Sequence, residues 1–200
     1  MLFVGDVHGK IQQYRQLIQN ADYSIQVGDM GVGFVDVPIM QPQHKFIRGN
    51  HDNPSLCQQH PNYLGEWGYL SLPKLFYVSG AYSIDRAARM AGIDWWSEEQ
   101  LSQEELGKAL AEYVLVKPEI VVSHDCPISL TQTMLRDAIM PGYPVVGSRT
   151  GHALQAMLDV HRPDIWIFGH YHVNIIKKIK HTEFVCLAEL GTYVIPDLMF

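Results

Sequence analysis

The sequence has no long apolar run, no block of like charge, no Gly/Ser-rich linker and no paired cysteine motif. Each absence excludes something. Runs such as Ile165–Phe168 and residues 113–116 fall far short of the ~18 apolar residues that a helix needs to cross a bilayer, so no membrane partner is expected. The start, Met-Leu-Phe-Val followed by a polar turn at Asp6, lacks the charged opening and long apolar core of a signal peptide. The three cysteines, Cys57, Cys126 and Cys186, form no Cys-x-x-Cys pair and leave an odd one over. They read as small core hydrophobes in a reducing interior, which points to a cytoplasmic protein. Basic residues are in deficit: 15 Lys+Arg against 21 Asp+Glu leave a formal charge of −6 beside ten histidines. That balance argues against binding nucleic acid through bulk electrostatics. With 47% hydrophobic and 18% charged residues the chain is not disordered. Two hundred residues read as one domain over 1–200, large enough to bury roughly 70% of its unfolded surface.

What is present is an alternation of short apolar runs with amphipathic stretches. The expected strands are Leu2–Val4, 24–27, 45–47, Leu75–Val78, 81–84, 119–122 and 164–168. An antiparallel finish follows at 173–179, 184–190 and 193–195, with a turn near His181-Thr182. Helical spacing appears at Ile11, Tyr14, Leu17 and Ile18, over 102–115 behind the Ser102/Glu105 capping box, and over 151–161. A faint internal repeat relates Lys117-Pro-Glu-Ile-Val-Val-Ser-His124 to Arg162-Pro-Asp-Ile-Trp-Ile-Phe-Gly-His170: a helix ends at proline, a strand follows, and histidine sits at its exit. Segments 54–73 and 131–149, rich in Gly, Pro and Tyr, read as long loops of the kind that carry function. Tyr63, Trp67, Arg136, Tyr143 and Arg149 lie in or beside them as candidates for shaping specificity.

Polar chemistry collects at five strand exits. These carry Gly5-Asp-Val-His-Gly9, Gly28-Asp29, Arg48-Gly-Asn-His-Asp52, Ser123-His-Asp125 and Gly169-His-Tyr-His172. In sheets with parallel strands, ligands gather beyond the carboxyl ends. Asp6 and His8 are two apart, as are His170 and His172, so on an extended chain each pair would point to one side. Nitrogen and oxygen donors without thiolate suit two divalent transition ions a few Å apart. Two such ions bring about +4, and Asp6, Asp29 and one bridging hydroxide remove about 3, leaving roughly +1 to attract a phosphoryl oxygen.

Taken in order, these motifs resemble those of the calcineurin-like metallophosphoesterases, over residues 5 to 172. The segment from Gly80-Ala-Tyr-Ser-Ile-Asp-Arg86 to Trp95-Trp-Ser-Glu-Glu99 is similar to a small bacterial and phage-type branch of that family. The resemblance implies an α/β class fold, a four-layer α/β/β/α sandwich of two mixed sheets. It also implies a dinuclear site, with Asp6, His8 and His172 on one metal, Asn50, His124 and His170 on the other, and Asp29 bridging. His51 would protonate the leaving oxygen, with Asp52 orienting its ring, and a bridging hydroxide would attack phosphorus in line. Two divalent cations are the implied cofactors: manganese foremost, with iron, zinc, nickel or cobalt also compatible with the donors. The substrate expected is a small phosphomonoester or a small or cyclic phosphodiester, a nucleotide among the candidates. Where the family's protein phosphatases carry an arginine after the second motif, this chain reads Gly28-Asp29-Met30-Gly31, which weakens that alternative. A non-catalytic scaffold of the same fold is the other.

Several residues carry two readings. Asp52 either serves the His51 ring or caps the following turn. Arg48 either meets substrate phosphate or pairs with a carboxylate at the core edge. Cys126 reads as a buried thiol rather than a ligand. Trp67, Trp95 and Trp96 either line the cleft or pack beneath loops. Glu98, Glu99, Glu104 and Glu105 read as a solvated helix start.

Overall fold

Alternation along the strands explains the layering. In the computed structural model, which describes residues 1–138, 147–196 and 198, β1 (Leu2–Val4), β2 (Ser24–Gln26) and β3 (His44–Phe46) run parallel. A second sheet contains β4 (Trp67–Leu70), β5 (Leu75–Val78), β6 (Ile120–Ser123), β7 (Ile165–Phe168), β8 (Ile175–Ile179) and β9 (Thr182–Cys186). Its order is β4-β5-β6-β7-β9-β8, with β4 and β8 antiparallel to their neighbours. The last strand, β10 (Thr192–Val194), returns to lie antiparallel beside β1. Both sheets are therefore mixed.

Because successive side chains face opposite sides of a strand, each strand feeds two apolar layers. Phe3, Ile25, Leu75, Tyr77, Val122, Ile167 and Val185 meet between the sheets. Val4 and Phe46 face outward onto Tyr14 and Ile18 of α1 (Ile11–Ile18). On the far side, Phe76, Val121, Trp166, Phe168 and Phe184 pack against α3 (Gln103–Val116) and α5 (Arg149–Val160). Three apolar layers thus separate four structural ones. This is the α/β/β/α sandwich, and it places both sheets' parallel strand ends on a common rim. Among the described residues no helix is long and apolar enough to cross a membrane.

Ser102 caps α3 as its capping box predicts, accepting from Glu105 N at 3.2 Å while its own N–H donates to Glu105 Oε2 at 2.8 Å. The helix stops where Lys117 turns left-handed (φ 46°) ahead of Pro118. The two halves of the faint repeat lie side by side, with β6 and β7 paired in register from Ile120↔Ile165 to Ser123↔Phe168.

Several expectations need correction. Residues 81–84 are not a strand: Gly80 turns the chain at φ +85° after β5, and its N–H donates to Arg48 O at 2.8 Å. Segment 54–73 holds α2 (Pro54–Cys57) and β4, while α4 (Ile128–Thr133) runs into the start of 131–149. Expected strand 184–190 is observed at Thr182–Cys186, so the turn falls at Lys180-His181. The three cysteines are free and buried, as expected. Tyr143, with the rest of 139–146, lies outside the described residues.

Candidate metal centre

Two glycines make room for the site. A Cβ on Gly28 (φ +103°) would meet His124 Nδ1 at 2.3 Å, and one on Gly49 would meet Asp29 Oδ1 at 2.0 Å. The strand exits are therefore bare where site side chains pass. The chain does not leave the strands extended, however. His8, Asp29, His170 and His172 all have positive φ (45°, 61°, 69° and 55°), a conformation that costs a non-glycine residue roughly 1–2 kcal/mol and that concentrates at functional sites. The extended-chain premise fails, although His170 and His172 still line one cavity. Asp6 and His8 do share a donor group, but His172 joins them without His170.

Asp6, His8 and His172 each offer one ligand atom, and the three lie within 4.8 Å of one another. His8 Nε2 and His172 Nε2 are 3.1 Å apart. Asp6 Oδ2 lies 3.1 Å from His172 Nε2 yet is buried without a hydrogen bond. A buried, unpaired carboxylate oxygen among imidazole nitrogens is costly unless a cation satisfies it. The donor set fits a divalent ion.

The second group forms around His124, which is fully buried. Its Nδ1 lies 2.8 Å from Val27 O, which assigns the ring hydrogen to that side and turns the Nε2 lone pair inward. Facing Nε2 are Asn50 Oδ1 at 3.2 Å and Asp29 Oδ1 at 3.3 Å. Three acceptors converging on one point need a proton or a cation between them. The electrostatics agree. Burial disfavours a charged His124, but the Asp29 carboxylate outweighs it and lifts the ring to about 10. Asp29 in turn is held well below the usual carboxylate range, because the neighbouring His124 outweighs the desolvation of a fully buried group. His170 packs its ring 5.1 Å from that of His124, and its burial lowers its pKa.

Asp29 stands between the two groups. Its Oδ1 faces His124 and accepts the His51 N–H at 2.8 Å, while Oδ2 lies 3.8 Å from His8 Nε2. All seven predicted ligands are thus gathered at one rim. A cavity of about 400 Å³ opens there, lined by Asp29, Asn50, His51, His170 and His172 together with Ile84 and Val173. A smaller one of about 210 Å³ also borders His51, against His8 and Phe34.

The outer residues sort less simply. His51 borders both cavities, with its ring centroid 5.2 Å from that of His8. Asp52 does not orient that ring. Its Oδ1 accepts from Gly31 and Val32 N–H (2.7 and 2.9 Å) and its Oδ2 from Met30 and Gly49 N–H (3.2 and 2.9 Å). It therefore ties the Gly28 loop to the Gly49 loop, and its carboxyl is raised by burial. The ring's partner is Arg89, whose guanidinium reaches His51 Nδ1 and Nε2 at 3.0 and 2.7 Å while it grips Asp85. Burial, aided by that cation, holds His51 down to about 4. Sequence reasoning missed Arg89. Its signal was the Asp85/Arg89 spacing of four within the quoted branch segment.

Arg48 takes the pairing role, being buried and bound to Glu66 (2.6 Å) and Glu99 O (2.9 Å). Arg149 is also structural, donating to Leu101 O at 2.7 Å. Tyr63 is half-buried against Phe46. Trp67 stacks on Phe76, and Trp96 packs edge-on against Phe34 at the smaller cavity. Cys126 is buried. Glu99 departs from the solvated-face reading, because it too is buried.

Comparison with known proteins gives the family. The family model for calcineurin-like phosphoesterase matches residues 1–174, so the chain belongs to that family and is a metal-dependent phosphoester hydrolase. The family uses a dinuclear divalent metal centre. Among solved structures, a dimetal phosphatase from Danio rerio is similar at 12% identity, covering 96% of this chain and 88% of its own, with a TM-score of 0.55. Phosphopantetheinyl hydrolase from Mycobacterium tuberculosis gives 12% identity, coverage of 98% and 95%, and a TM-score of 0.54. The protein TT1561 of Thermus thermophilus gives 12%, 95% and 90%, and 0.53. At this identity they show a shared fold. No curated protein matches the chain.

Proposed function

We propose that the protein hydrolyses small phosphoesters, either monoesters or compact and cyclic diesters, at two divalent cations. Asp6, His8 and His172 hold one, Asn50, His124 and His170 the other, and Asp29 reaches both. Manganese is the first choice for both positions, in a cytoplasmic setting. The observation that supports this most directly is the division of Asp29, whose two oxygens face different donor groups. Bound divalent ions supply Lewis acidity and lower the pKa of water.

The chain's own residues do the rest. The donor sets fix where a phosphoryl group can sit, and the cavity beside His51 and His170 receives its ester arm. His51 is placed to give a proton to the leaving oxygen. A protonated imidazole has no lone pair left to accept from Arg89, so Arg89 must turn its N–H groups elsewhere during that step. A phosphoryl oxygen is the natural recipient.

The test is Asp29→Asn, assayed for manganese content and for cleavage of p-nitrophenyl and bis-p-nitrophenyl phosphate. We expect most activity to vanish and metal retention to fall at both positions. Full metal content with full turnover would remove the bridging role. Metal-loaded wild-type protein that cleaves neither ester would favour a scaffold.

A further inference from the structure

Asp125 is a buried carboxylate, 4% exposed, directly after His124, and the metal reading leaves it unused. An acid at that depth is costly unless hydrogen bonds satisfy it, and three neutral donors do so. Its Oδ1 accepts the Tyr171 hydroxyl and the Cys126 N–H, both at 2.8 Å, and its Oδ2 accepts the Ser148 hydroxyl at 2.7 Å. Ser148 Oγ in turn accepts the Gly151 N–H at 2.8 Å in the first turn of α5. Asp125 is thereby fixed on one side to a helix and on the other to Tyr171.

Tyr171 stands between His170 and His172, which the metal reading sends to different cation positions. Both histidines have positive φ, 69° and 55°, and residues in that region persist only where the surroundings over-determine them. Backbone N–H groups anchor the start of the turn: Gly169 donates to His124 O at 3.2 Å, His170 to Asp6 Oδ1 at 3.1 Å and Tyr171 to Gly169 O at 2.8 Å. The Tyr171 side chain anchors its middle. Its ring packs edge-on against His170 and Phe168, with centroids 5.0 and 6.1 Å away. Its hydroxyl reaches from the exit of β7 to Asp125 at the exit of β6. Ring contacts are weakly directional, whereas a hydroxyl bonded to a carboxylate is directional and about twice as strong as a neutral pair.

We infer that Asp125 and Tyr171 are positioning residues, a tie between two strand exits that holds His170 at one cation position and His172 at the other. Breaking the tie therefore weakens both positions together. This rests on the metal reading of His170 and His172 proposed above.

Titration calorimetry of the whole chain with manganese chloride tests it. Tyr171→Phe removes one hydroxyl and keeps the ring. Both manganese equivalents should weaken about 10- to 100-fold, the size expected when a group behind a ligand is lost. Asp125→Ala should give the same paired loss, and either variant carries the test if the other does not fold. Asp125→Asn should retain nearly wild-type affinity, because its amide oxygen can accept from Tyr171 and Cys126 while its NH2 turns to Ser148 Oγ. Adding Tyr171→Phe to Asp125→Ala should cost nothing more, since the two partners share one interaction.

A merely structural role would lower the melting temperature of the metal-free chain and leave the affinities of the folded protein unchanged, which overturns the inference. It is also overturned if only one equivalent weakens, if Asp125→Asn loses as much as Tyr171→Phe, or if the two losses multiply in the double variant. Asp29→Asn distinguishes failure here from failure of the metal reading. Undiminished binding by that variant sinks the metal reading and this inference with it. Weakened binding there, with Tyr171→Phe and Asp125→Ala unaffected, sinks only the inference.

Discussion

At the scale of single residues, the centre is built by lone pairs directed at points that a proton or a cation must occupy. Asp6 Oδ2 is buried without a hydrogen bond, and the Asn50, Asp29 and His124 acceptors converge within 3.3 Å. His51 differs, because its ring is engaged by a donor, Arg89. Its contribution should therefore depend on the substrate. His51→Ala is expected to slow alkyl phosphoesters, whose leaving oxygen needs a proton, by about 10²–10⁴-fold. Nitrophenyl esters should suffer far less, since their leaving group departs as a stable anion. Comparing kcat on the two ester classes checks this, and equal losses would mean that His51 gives no proton. The seven candidate donors were legible in the motifs through their family resemblance. The partners of His51 and Asp52 were not, because adjacency in sequence placed Asp52 beside His51 while the fold turned its carboxylate back onto four backbone N–H groups.

At the scale of elements, local signals were strongest where one segment contains its own stabilisation. Helix α3 is the clearest case: Ser102 and Glu105 satisfy each other's backbone donors, and Leu106, Ala109 and Tyr113 form its buried face. Ser102→Ala should cost about 1 kcal/mol, read as a lower midpoint in urea with the denaturant slope unchanged. A wild-type midpoint would show that packing against α5 and β5 sets the helix start without the cap. Strand β4 was missed for the opposite reason. Trp67–Leu70 sits in a Gly- and Pro-rich stretch and exists by pairing antiparallel with β5 at the sheet edge. Residues 81–84 have the apolar content of a strand, but Gly80 diverts them toward the metal centre, where Ser83 meets Asn50.

At the scale of the whole molecule, the two sheets are held face to face by Phe3, Ile25, Val122, Ile167 and Val185. That packing brings donors from β1, β2 and β3 against those from β6 and β7. Stability should carry a pH signature from His44, buried on β3 beside Ser24 Oγ at 2.9 Å. Burial lowers its pKa below the ordinary value. Between that lowered value and about 6.5 the unfolded chain binds the extra proton, so stability rises with pH across this window and is lost as pH falls through it. His44→Gln should therefore flatten the dependence of Tm on pH between about 5 and 7. An unchanged slope would assign the dependence to other groups.

Composition and order along the chain determined the alternation of strands and helices and the polar strand exits, because strand alternation, helix caps and motif spacing are local properties; the four-layer fold and the seven candidate donors came with the family resemblance of those motifs. Only the tertiary structure decided which donors share a cation position, that Asp29 lies between them, that Arg89 engages His51, and that Asp125 accepts from Tyr171. Those facts depend on left-handed turns at His8, Asp29, His170 and His172 and on the packing of one sheet against another. Directions and distances across that interface are not encoded by any single segment.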